Sequence, residues 1–383
     1  MMVALSWFGF LMLVYLYGGY VVLLKGLAMI KRGDAETASD EAELSDVWPT
    51  VTVLITVYNE EEKIAERVAN VLSCCYTNNL LEVLVASDGS TDTTDERVRA
   101  ISDERVRLFR PHHRVGKTDT QNKAVAEARG EIIVFTDAET VFAPDFMNAI
   151  VRPFRDPRIG GVDGHLLFEV EPGTISKSQG FYWAQELKIR TLESRLGWLA
   201  VGSGACLAVR KKLFRPMVAT VGEDCLIPLN VVRQGYRMVH AGEAMAYDCM
   251  PSDPHREFRT RVRMTLRNWQ GTWMYPDLLN PMRHPGIAFA LWSHKVLRWL
   301  SPLFLLLWVG AGVEMLPLEN GVVAFPGWFA LVFVIAAILG WFSQRFYLPI
   351  PKIGMAYSFC LANAGLLVGV VQALIGSRIT TYR

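Results

Sequence analysis

The chain has 383 residues, 51% of them hydrophobic, and its mean hydropathy is +0.22. This length allows two domains, or one domain with a membrane part, and the apolar content favours lipid contact over a wholly soluble protein. The net charge of +1 creates no overall basic field, which argues against nucleic acid as a partner.

An apolar segment opens the chain, since residues 3–24 carry no charged side chain. About 20 such residues span the core of a bilayer. Lys25, Lys31 and Arg32 follow the segment rather than precede it, which argues against a cleaved signal peptide. This charge pattern predicts an uncleaved anchor over 1–30, with its N-terminus outside and the next domain in the cytoplasm.

An acidic stretch separates this anchor from a central domain. Residues 31–47 contain the run GDAETASDEAELSD, which lacks aromatic residues and is typical of a linker. The polar region that follows, 48–277, is long enough for one sizeable core. The six cysteines form no CxxC pair, and they are predicted to be free thiols in a reducing compartment.

Short apolar runs alternate with helical patterns through the first half of the central domain. The runs of strand length are VTVLITV (51–57), LEVLVAS (81–87), RVRLF (105–109) and EIIVFT (131–136). The helical patterns are NEEEKIAERVANVLSC, with Glu60 to Glu62 in its first turn, the end of DGSTDTTDERVRAI, and TDTQNKAVAEA. This alternation predicts an α/β domain with a mostly parallel sheet covered on both faces.

Polar residues follow three of these predicted strands. They are Thr56 to Glu60 after the first strand, Asp88 after the second, and Asp137 and Glu139 after the fourth. Because ligands bind beyond the carboxyl ends of parallel strands, we expect the three groups to converge on one rim. The structural alternatives are an ordinary turn at Asp88-Gly89 and a helix cap at Asp92.

Asp137 and Glu139 stand two residues apart. In an extended chain such carboxylates point the same way. Two of them can hold one hard cation that keeps positions for substrate phosphates. Mg²⁺ or Mn²⁺ bridging a diphosphate neutralises charge on the leaving group, so the pair predicts a metal site for a nucleoside diphosphate.

Two later motifs are ambiguous by spacing alone. The GKT of residues 116–118 resembles the end of a phosphate-binding P-loop, but Pro111 replaces the required glycine and that motif is rejected. Glu223-Asp224 precedes an apolar helical pattern and fits either a general base or favourable acids in a first helical turn. Spacing favours the plain helix start.

A basic stripe is predicted near the end of the domain. Arg259, Arg263 and Arg267 recur every four residues, beside Trp269 and Trp273. Guanidinium groups grip phosphate, and tryptophan stacks on a sugar. The alternative is a basic face that touches lipid headgroups at the cytoplasmic surface.

The region 298–383 is again apolar and is expected to hold three more spans. They cover about 299–316, 322–342 and 353–376. Residues 278–297 mix tryptophan and aliphatic residues with His and Lys, which fits either an interfacial helix on the membrane or an ordinary connector. Four full spans would leave Arg378 and Arg383 outside, against the usual bias, unless one span is re-entrant.

The ordered motifs resemble those of membrane-bound family 2 glycosyltransferases over about residues 48–275. They are TVYNEEE, SDGSTD, GKTDTQNKA, TDAET, GSGACLAVRK and GED. The most similar branch holds hyaluronan, chitin, cellulose and poly-N-acetylglucosamine synthases. The resemblance implies an α/β, GT-A (Rossmann-like) cytoplasmic domain with flanking transmembrane α-helices, in a multi-pass protein of the cell (inner) membrane.

The resemblance also implies roles position by position. The nucleotide set comprises Thr56, Tyr58, Glu60, Asp88, Lys117 and Asp137, with Tyr58, Glu60 and Asp88 on the uridine. The metal pair would be Asp137 and Glu139, in place of the family's DxD. The acceptor set comprises Gly202, Ser203, Gly204, Cys206 and Trp269, and the catalytic set comprises Glu223 and Asp224, with Asp224 as the base. Arg263 or Arg267 would bind pyrophosphate, as the family's QxxRW motif does; Thr260 and Met264 occupy its Gln and Trp positions, which weakens the case for processive synthesis.

The implied reaction is an inverting, Mg²⁺- or Mn²⁺-dependent transfer from a UDP-sugar to a growing polysaccharide at the cytoplasmic membrane face. Two alternatives remain, a single-addition transferase acting on a lipid-linked acceptor and a non-catalytic membrane scaffold. A transporter is disfavoured, because the predicted spans hold few ionisable residues. Membrane lipid is an expected partner, and four spans make only a small pore unless a second copy or an accessory subunit contributes.

Overall fold

The computed structural model describes residues 1–35, 48–169, 174–249, 254–318, 320–346 and 354–378. Most of the predicted linker lies outside the described residues, as does Arg383. The six cysteines are free thiols, as predicted.

An eight-stranded mixed sheet forms the centre of the protein. Its strands are β1 (Val51–Val57), β2 (Leu81–Ser87), β3 (Val106–Phe109), β4 (Ile132–Thr136), β5 (Val141–Phe142), β6 (Ile159–Glu169), β7 (Leu207–Arg210) and β8 (Arg237–Cys249). They lie in the order β3-β2-β1-β4-β7-β6-β8-β5. The first four strands pair in parallel, β7 runs antiparallel to β4 and β6, and β5 runs antiparallel to β8.

Helices cover the sheet and extend from both ends of the domain. The α-helices are α1 (Met2–Val14), α2 (Tyr20–Ala35), α3 (Ile64–Leu72), α4 (Thr94–Arg99), α5 (Lys117–Glu127), α6 (Phe146–Val151), α7 (Thr174–Leu196), α8 (Glu223–Arg233), α9 (Pro254–Trp273), α10 (Pro285–Ala290), α11 (Leu297–Trp299), α12 (Ser301–Gly312), α13 (Gly321–Arg345) and α14 (Gly354–Leu374). One π-helical segment joins α1 to α2, and another joins α10 to α11.

Each face of the sheet carries its own apolar core. Alternate residues of a strand point to opposite faces, so Leu54 packs into one core with α5 and α8, and Val53 packs into the other with α3 and α6. Every residue of β1, β2 and β4 is buried, as expected for parallel strands covered on both sides. The four predicted strands are confirmed.

The predicted start of the first helix was wrong. α3 begins at Ile64, so Glu60 to Glu62 precede it instead of forming its first turn. Asn59 has a φ of +56°, and the chain turns there. The Glu61 carboxylate then accepts hydrogen bonds from the backbone N–H and the hydroxyl of Thr93, at 3.0 Å and 2.5 Å. These bonds tie the turn to the start of α4.

Among the described residues, three helices are long and apolar enough to cross a membrane. They are Met2–Lys31, Gly321–Arg345 and Gly354–Leu374. A fourth candidate is a pair of helices, Pro285–Trp299 and Ser301–Met315, bent by 55°. The predicted span at 299–316 therefore forms only one arm of a bent unit, and the other arm overlaps the predicted interfacial segment 278–297. The chain is a membrane protein by these helices, while the side on which each end lies stays a prediction.

The N-terminal helix, α1 with α2, joins the membrane helices to the sheet domain. A Cβ added at Gly9 would lie 2.5 Å from the carbonyl oxygen of Phe304 and 2.7 Å from the backbone nitrogen of Trp308. Glycine permits this close approach of α1 to α12. The Tyr20 hydroxyl donates to Glu193 Oε1 on α7 at 2.8 Å. The apolar ends of the chain thus pack against a helix that lies beside the site.

Candidate active site

The carboxyl ends of β1, β2 and β4 lie side by side, as predicted. Val57 is in register with Ser87, and Ile55 with Thr136. A cavity of about 410 Å³, here called the rim cavity, lies at this edge. Its polar lining includes Lys117, Asp137, Ser203, Glu223, Asp224, Asp248, Arg263 and Arg267. Residues far apart in sequence therefore face one space.

Lys117 connects two of the acidic motifs. Its ammonium nitrogen lies 2.6 Å from Asp137 Oδ1 and 2.7 Å from Glu223 Oε1. Lys117 begins α5, directly after Gly116, whose φ of +94° favours glycine. The carboxylate after β4 and the carboxylate that begins α8 are thus held by a single cation.

Asp88 holds the turn that leads into α5. Its Oδ1 accepts hydrogen bonds from the backbone N–H of Val115 at 2.8 Å, from that of Gly116 at 3.0 Å and from the hydroxyl of Thr120 at 2.9 Å. The adjacent Gly89 has a φ of +72°, so the predicted turn is present. In the structure the Asp88 carboxylate positions the segment that carries Lys117. Direct contact of Asp88 with a uridine stays a prediction.

Asp92 precedes the N-cap residue of α4, which is Thr93, so the alternative that Asp92 itself is the cap was wrong. Its Oδ1 accepts from the backbone N–H of Thr94 at 3.0 Å and from the hydroxyl of the same residue at 2.5 Å. Its Oδ2 accepts from the backbone N–H of Glu61 at 3.2 Å. Asp92 therefore fixes the start of α4 against the turn after β1.

The predicted nucleotide residues lie along the same edge. The guanidinium of Arg114 stacks on Tyr58, with 3.6 Å from its carbon to the ring centroid. The buried hydroxyl of Thr56 has no hydrogen-bond partner among the described residues. Burial, followed by the nearby Glu139 carboxylate, raises the pKa of Glu60. These side chains form an aromatic and polar surface at the carboxyl end of β1.

The metal pair differs from the predicted geometry. The chain bends at Ala138 and Glu139, so the expected extended segment was wrong. Asp137 lines the rim cavity, whereas Glu139 pairs with Lys63 at 2.8 Å, with both side chains 50% exposed. The described residues contain no group of three or more His, Cys, Asp or Glu that could hold a metal ion. Two carboxylates still fit Mg²⁺ or Mn²⁺, because these ions take their other ligands from water and substrate phosphates.

Arg67 supports this bend, and the sequence analysis did not single it out. Its Nη2 donates to Thr136 Oγ1 at 2.9 Å and its Nε to the carbonyl oxygen of Asp137 at 3.2 Å. Burial lowers its pKa to about 10, which leaves it charged at neutral pH. A signal was available, since Arg67 stands on the same face of α3 as Ile64 and Val71, which are fully buried.

Glu223 and Asp224 form the first turn of α8 and also line the rim cavity. The plain helix start favoured by spacing is thus only part of their setting. Burial would raise the pKa of Glu223, but the Lys117 ammonium outweighs it and lowers that pKa. Burial and the Glu223 charge raise the pKa of Asp224, against the opposing Arg267. The pKa values of these two adjacent carboxylates are therefore shifted in opposite directions.

The basic stripe on α9 is only partly directed at the site. Arg263 and Arg267 line the rim cavity, and Arg267 is buried with its Nη2 3.4 Å from Thr118 Oγ1. Arg259 is exposed and is not among the lining residues. Met264 lines the cavity at the position of the family's tryptophan. Two arginines of α9 thus belong to the lining of the cavity.

The predicted acceptor segment lies where expected, with two exceptions. Residues 202–205 line the rim cavity, and Asp163 accepts from the backbone N–H of Ser203 at 2.8 Å. Cys206 is fully buried and does not line the cavity. Trp269 does not line it either; its ring packs on Trp299, which does. The aromatic lining of the cavity comes instead from Phe168 of β6, from Tyr182 and Trp183 of α7, and from Trp299 of α11.

Asp248, at the end of β8, is a further acidic residue of the rim cavity. Burial first, and the charges of Asp137 and Glu139 after it, raise its pKa to about 6, against the lowering effect of the Cys249 backbone N–H. The sequence analysis missed it, because an acid at the end of an alternating strand carries no local signal. It adds a further carboxylate to the lining of the cavity, which Asp137 also lines.

Comparison with known proteins shows what the domain and the fold are similar to. Residues 52–217 match the model described as Glycosyl transferase family 2. The chain has the fold of the mannosyltransferase PcManGT from Pyrobaculum calidifontis, solved in complex with GDP-Man and Mn²⁺. The TM-score is 0.68 at 21% identity, over 98% of this chain and 99% of that one.

Curated relatives share about a quarter of their residues with the chain. An N-acetylglucosaminyltransferase from Rhizobium sp. is 25% identical over 73% of this chain and 65% of its own length. Another from Sinorhizobium fredii is 25% identical over 80% and 77%. A poly-beta-1,6-N-acetyl-D-glucosamine synthase from Staphylococcus aureus is 25% identical over 66% and 64%. The chain thus spans about two thirds of the length of these proteins.

Proposed function

We propose that this chain transfers N-acetylglucosamine from UDP-N-acetylglucosamine to a saccharide hydroxyl, with inversion of configuration. The premise is that it is a membrane glycosyltransferase with a family 2, GT-A domain. The observation that carries the proposal is the convergence of Asp137, Lys117 and Asp224 on one cavity. The catalytic domain would face the cytoplasm, at the inner membrane. The names of the relatives support the choice of sugar.

Asp224 is the proposed general base. Its raised pKa suits removal of a proton from an acceptor hydroxyl. That oxygen would attack the anomeric carbon from the side opposite the nucleotide, so the configuration inverts. Residues 202–205, whose backbone is fixed by Asp163, would hold the acceptor beside Asp224. Glu223 forms an ion pair with Lys117. Its negative charge would keep the pKa of Asp224 raised, and Glu223 itself would not take the proton.

The departing diphosphate would be held by cations of the rim cavity. Arg263 and Arg267 approach from α9 and Lys117 from α5. Asp137 and Glu139 would hold Mg²⁺ or Mn²⁺, which when bound neutralises charge on the leaving group. Lys117 would then turn its ammonium group from Asp137 toward the phosphates. The three side chains oppose the charge that develops as the bond to the sugar breaks.

The pH profile tests the role given to Glu223. Because the pKa of Asp224 is raised, activity should fall as the pH drops through that raised value. Glu223→Gln removes the neighbouring negative charge and should move this acid limb to lower pH. The measurement is kcat/KM for the acceptor between about pH 4 and 8, a window around ordinary carboxyl and histidine values. Arg267 and Lys117 remain in the variant, and an unmoved limb would contradict the coupling between the two carboxylates.

One assay tests the proposed function as a whole. The purified chain in lipid nanodiscs is incubated with UDP-N-acetylglucosamine, UDP-glucose, UDP-galactose or GDP-mannose, and the products are sized. We expect turnover with UDP-N-acetylglucosamine and Mn²⁺ or Mg²⁺. Turnover with GDP-mannose alone would overturn the donor assignment, and no transfer from any donor would favour the scaffold alternative. A ladder of long chains would support polysaccharide synthesis, and a single added sugar would support single addition.

A further inference from the structure

A second cavity adjoins the rim cavity. It has a volume of about 260 Å³ and lies between the N-terminal helix, α7, α9, the segment 294–299 and α14. Two of these elements, the N-terminal helix and α14, are candidate membrane spans. We call this space the lipid-side cavity. Its place links the sheet domain to the helices that contact lipid.

The two cavities meet at a common wall. The residues that line both are Tyr182, Glu257, Arg261, Lys295, Trp299 and Leu366. On one side of this wall lie Asp224 and the acceptor segment 202–205. On the other side lie the membrane helices. A ligand that reaches past the wall therefore has one end at the proposed base and the other end between membrane spans.

The wall is polar, and its charges are balanced. Arg261 donates to Glu257 at 2.6 Å and stacks on Tyr182, with 4.8 Å from its guanidinium carbon to the ring centroid. Lys295 lies 3.3 Å from Glu186, which is buried beneath the wall. Paired charges of this kind hydrogen-bond a polar group without demanding an ionic one. The wall suits the neutral head of a ligand.

Beyond the wall most of the lining residues are apolar. The polar ones are Tyr17, Gln185, Ser358, His294 and Arg298, and the last two pair with the buried Glu186. Leu16 and Val21 contribute from the N-terminal helix, Ile189 from α7, and Phe359 and Leu361 from α14. A glycan placed against these apolar side chains would lose its hydrogen bonds to water without replacing them, which is unfavourable. A hydrocarbon chain gains free energy in the same place. The order of polar and apolar surfaces therefore matches an amphiphile and not a glycan channel.

We propose that the lipid-side cavity binds the apolar chain of a lipid-linked saccharide, the first acceptor of the sugar transfer proposed above. The chain would lie between the N-terminal helix and α14. The saccharide would pass the wall at Arg261 and Trp299 and present its hydroxyl to Asp224. That the polar part of the ligand is a saccharide rests on the proposed function. That its other part is an apolar chain rests on the lining of the cavity. It selects a lipid anchor for the acceptor, whether one sugar or many are then added.

Photolabelling tests the tail site without turnover. The probe is hexadecyl β-N-acetylglucosaminide with a diazirine on its alkyl chain, added to the full chain in nanodiscs. We expect labels on α14 between Met355 and Leu366. Ala362→Phe places a ring in the space proposed for the alkyl chain. It should reduce labelling about tenfold, because a packed site does not accommodate the added volume and the chain together. Ala364→Phe is the matched control, because Ala364 is exposed on the same helix, and it should label like the parent.

A series of acceptors with different alkyl chain lengths provides a second measurement, which is made by turnover. Ethyl, octyl and hexadecyl N-acetylglucosaminides serve as acceptors, and KM should fall with length in the parent and in Ala364→Phe. Equal KM values across the series would overturn the proposal. So would equal labelling of Ala362→Phe and Ala364→Phe, or labelling by a hexadecyl phosphocholine probe that the saccharide probe fails to displace. Specific labelling without turnover from any donor would support the tail site while the proposed function failed.

Discussion

Replacing Asp224 by asparagine is expected to reduce sugar transfer about 10³-fold, within the range for loss of a general base, while the donor binds nearly as before. Asparagine keeps the size and the acceptor oxygen that lies 3.5 Å from Asn268 Nδ2. It removes the basicity that burial and Glu223 give to Asp224. Turnover with UDP-N-acetylglucosamine and calorimetry with UDP measure the two effects separately.

A surface control separates charge loss from loss of the base. Glu243 is exposed and pairs with Arg152 away from the rim cavity, so Glu243→Gln should keep full activity. If Asp224→Asn weakened UDP binding as much as turnover, Asp224 would belong to the donor site and its assignment as base would fail. Unchanged melting temperatures in both variants would show that each is folded.

Removing either carboxylate of the predicted metal pair should abolish divalent-dependent transfer. Asp137→Ala or Glu139→Ala should lower turnover at least about 100-fold, since Lewis-acid stabilisation of a leaving group contributes several kcal/mol. Asp137 pairs with Lys117 and Glu139 with Lys63, and neither carboxylate belongs to the apolar cores of the described residues. Both variants should therefore fold.

The control for this experiment lies at the other end of the same strand. Glu131 is exposed and precedes β4, so Glu131→Ala should retain activity and metal dependence. Activity is measured against Mn²⁺ and Mg²⁺ concentration and with excess EDTA. Full activity in both carboxylate variants, or activity that survives EDTA, would refute the metal pair.

The parallel half of the domain could be predicted because its signals are local. β1 and β2 are short runs rich in aliphatic and β-branched residues, and their ends match the structure residue for residue. The second half of the sheet, β5 to β8, lacks such signals. β6 contains three glycines and the fully buried Asp163, and it tolerates that carboxylate only because Arg190 and His240 reach it from other elements. No local pattern records those partners.

The site divides in the same way. The acidic groups after β1, β2 and β4 could be located from the sequence, because strand ends in a parallel sheet meet at one edge. The bridge from Lys117 to Glu223 could not, since it joins residues more than a hundred positions apart. The contribution of Trp299 in place of Trp269 was hidden for the same reason: it depends on how α11 packs on α9.

The Lys117 bridge also bears on the order in which ligands assemble. Its ammonium occupies Asp137, the carboxylate that a divalent cation would need. A diphosphate that draws Lys117 away would raise the affinity for the cation, and by thermodynamic linkage the cation would raise the affinity for the nucleotide by the same factor. The protein alone would then bind Mn²⁺ weakly, and UDP and Mn²⁺ would load as a cooperative pair.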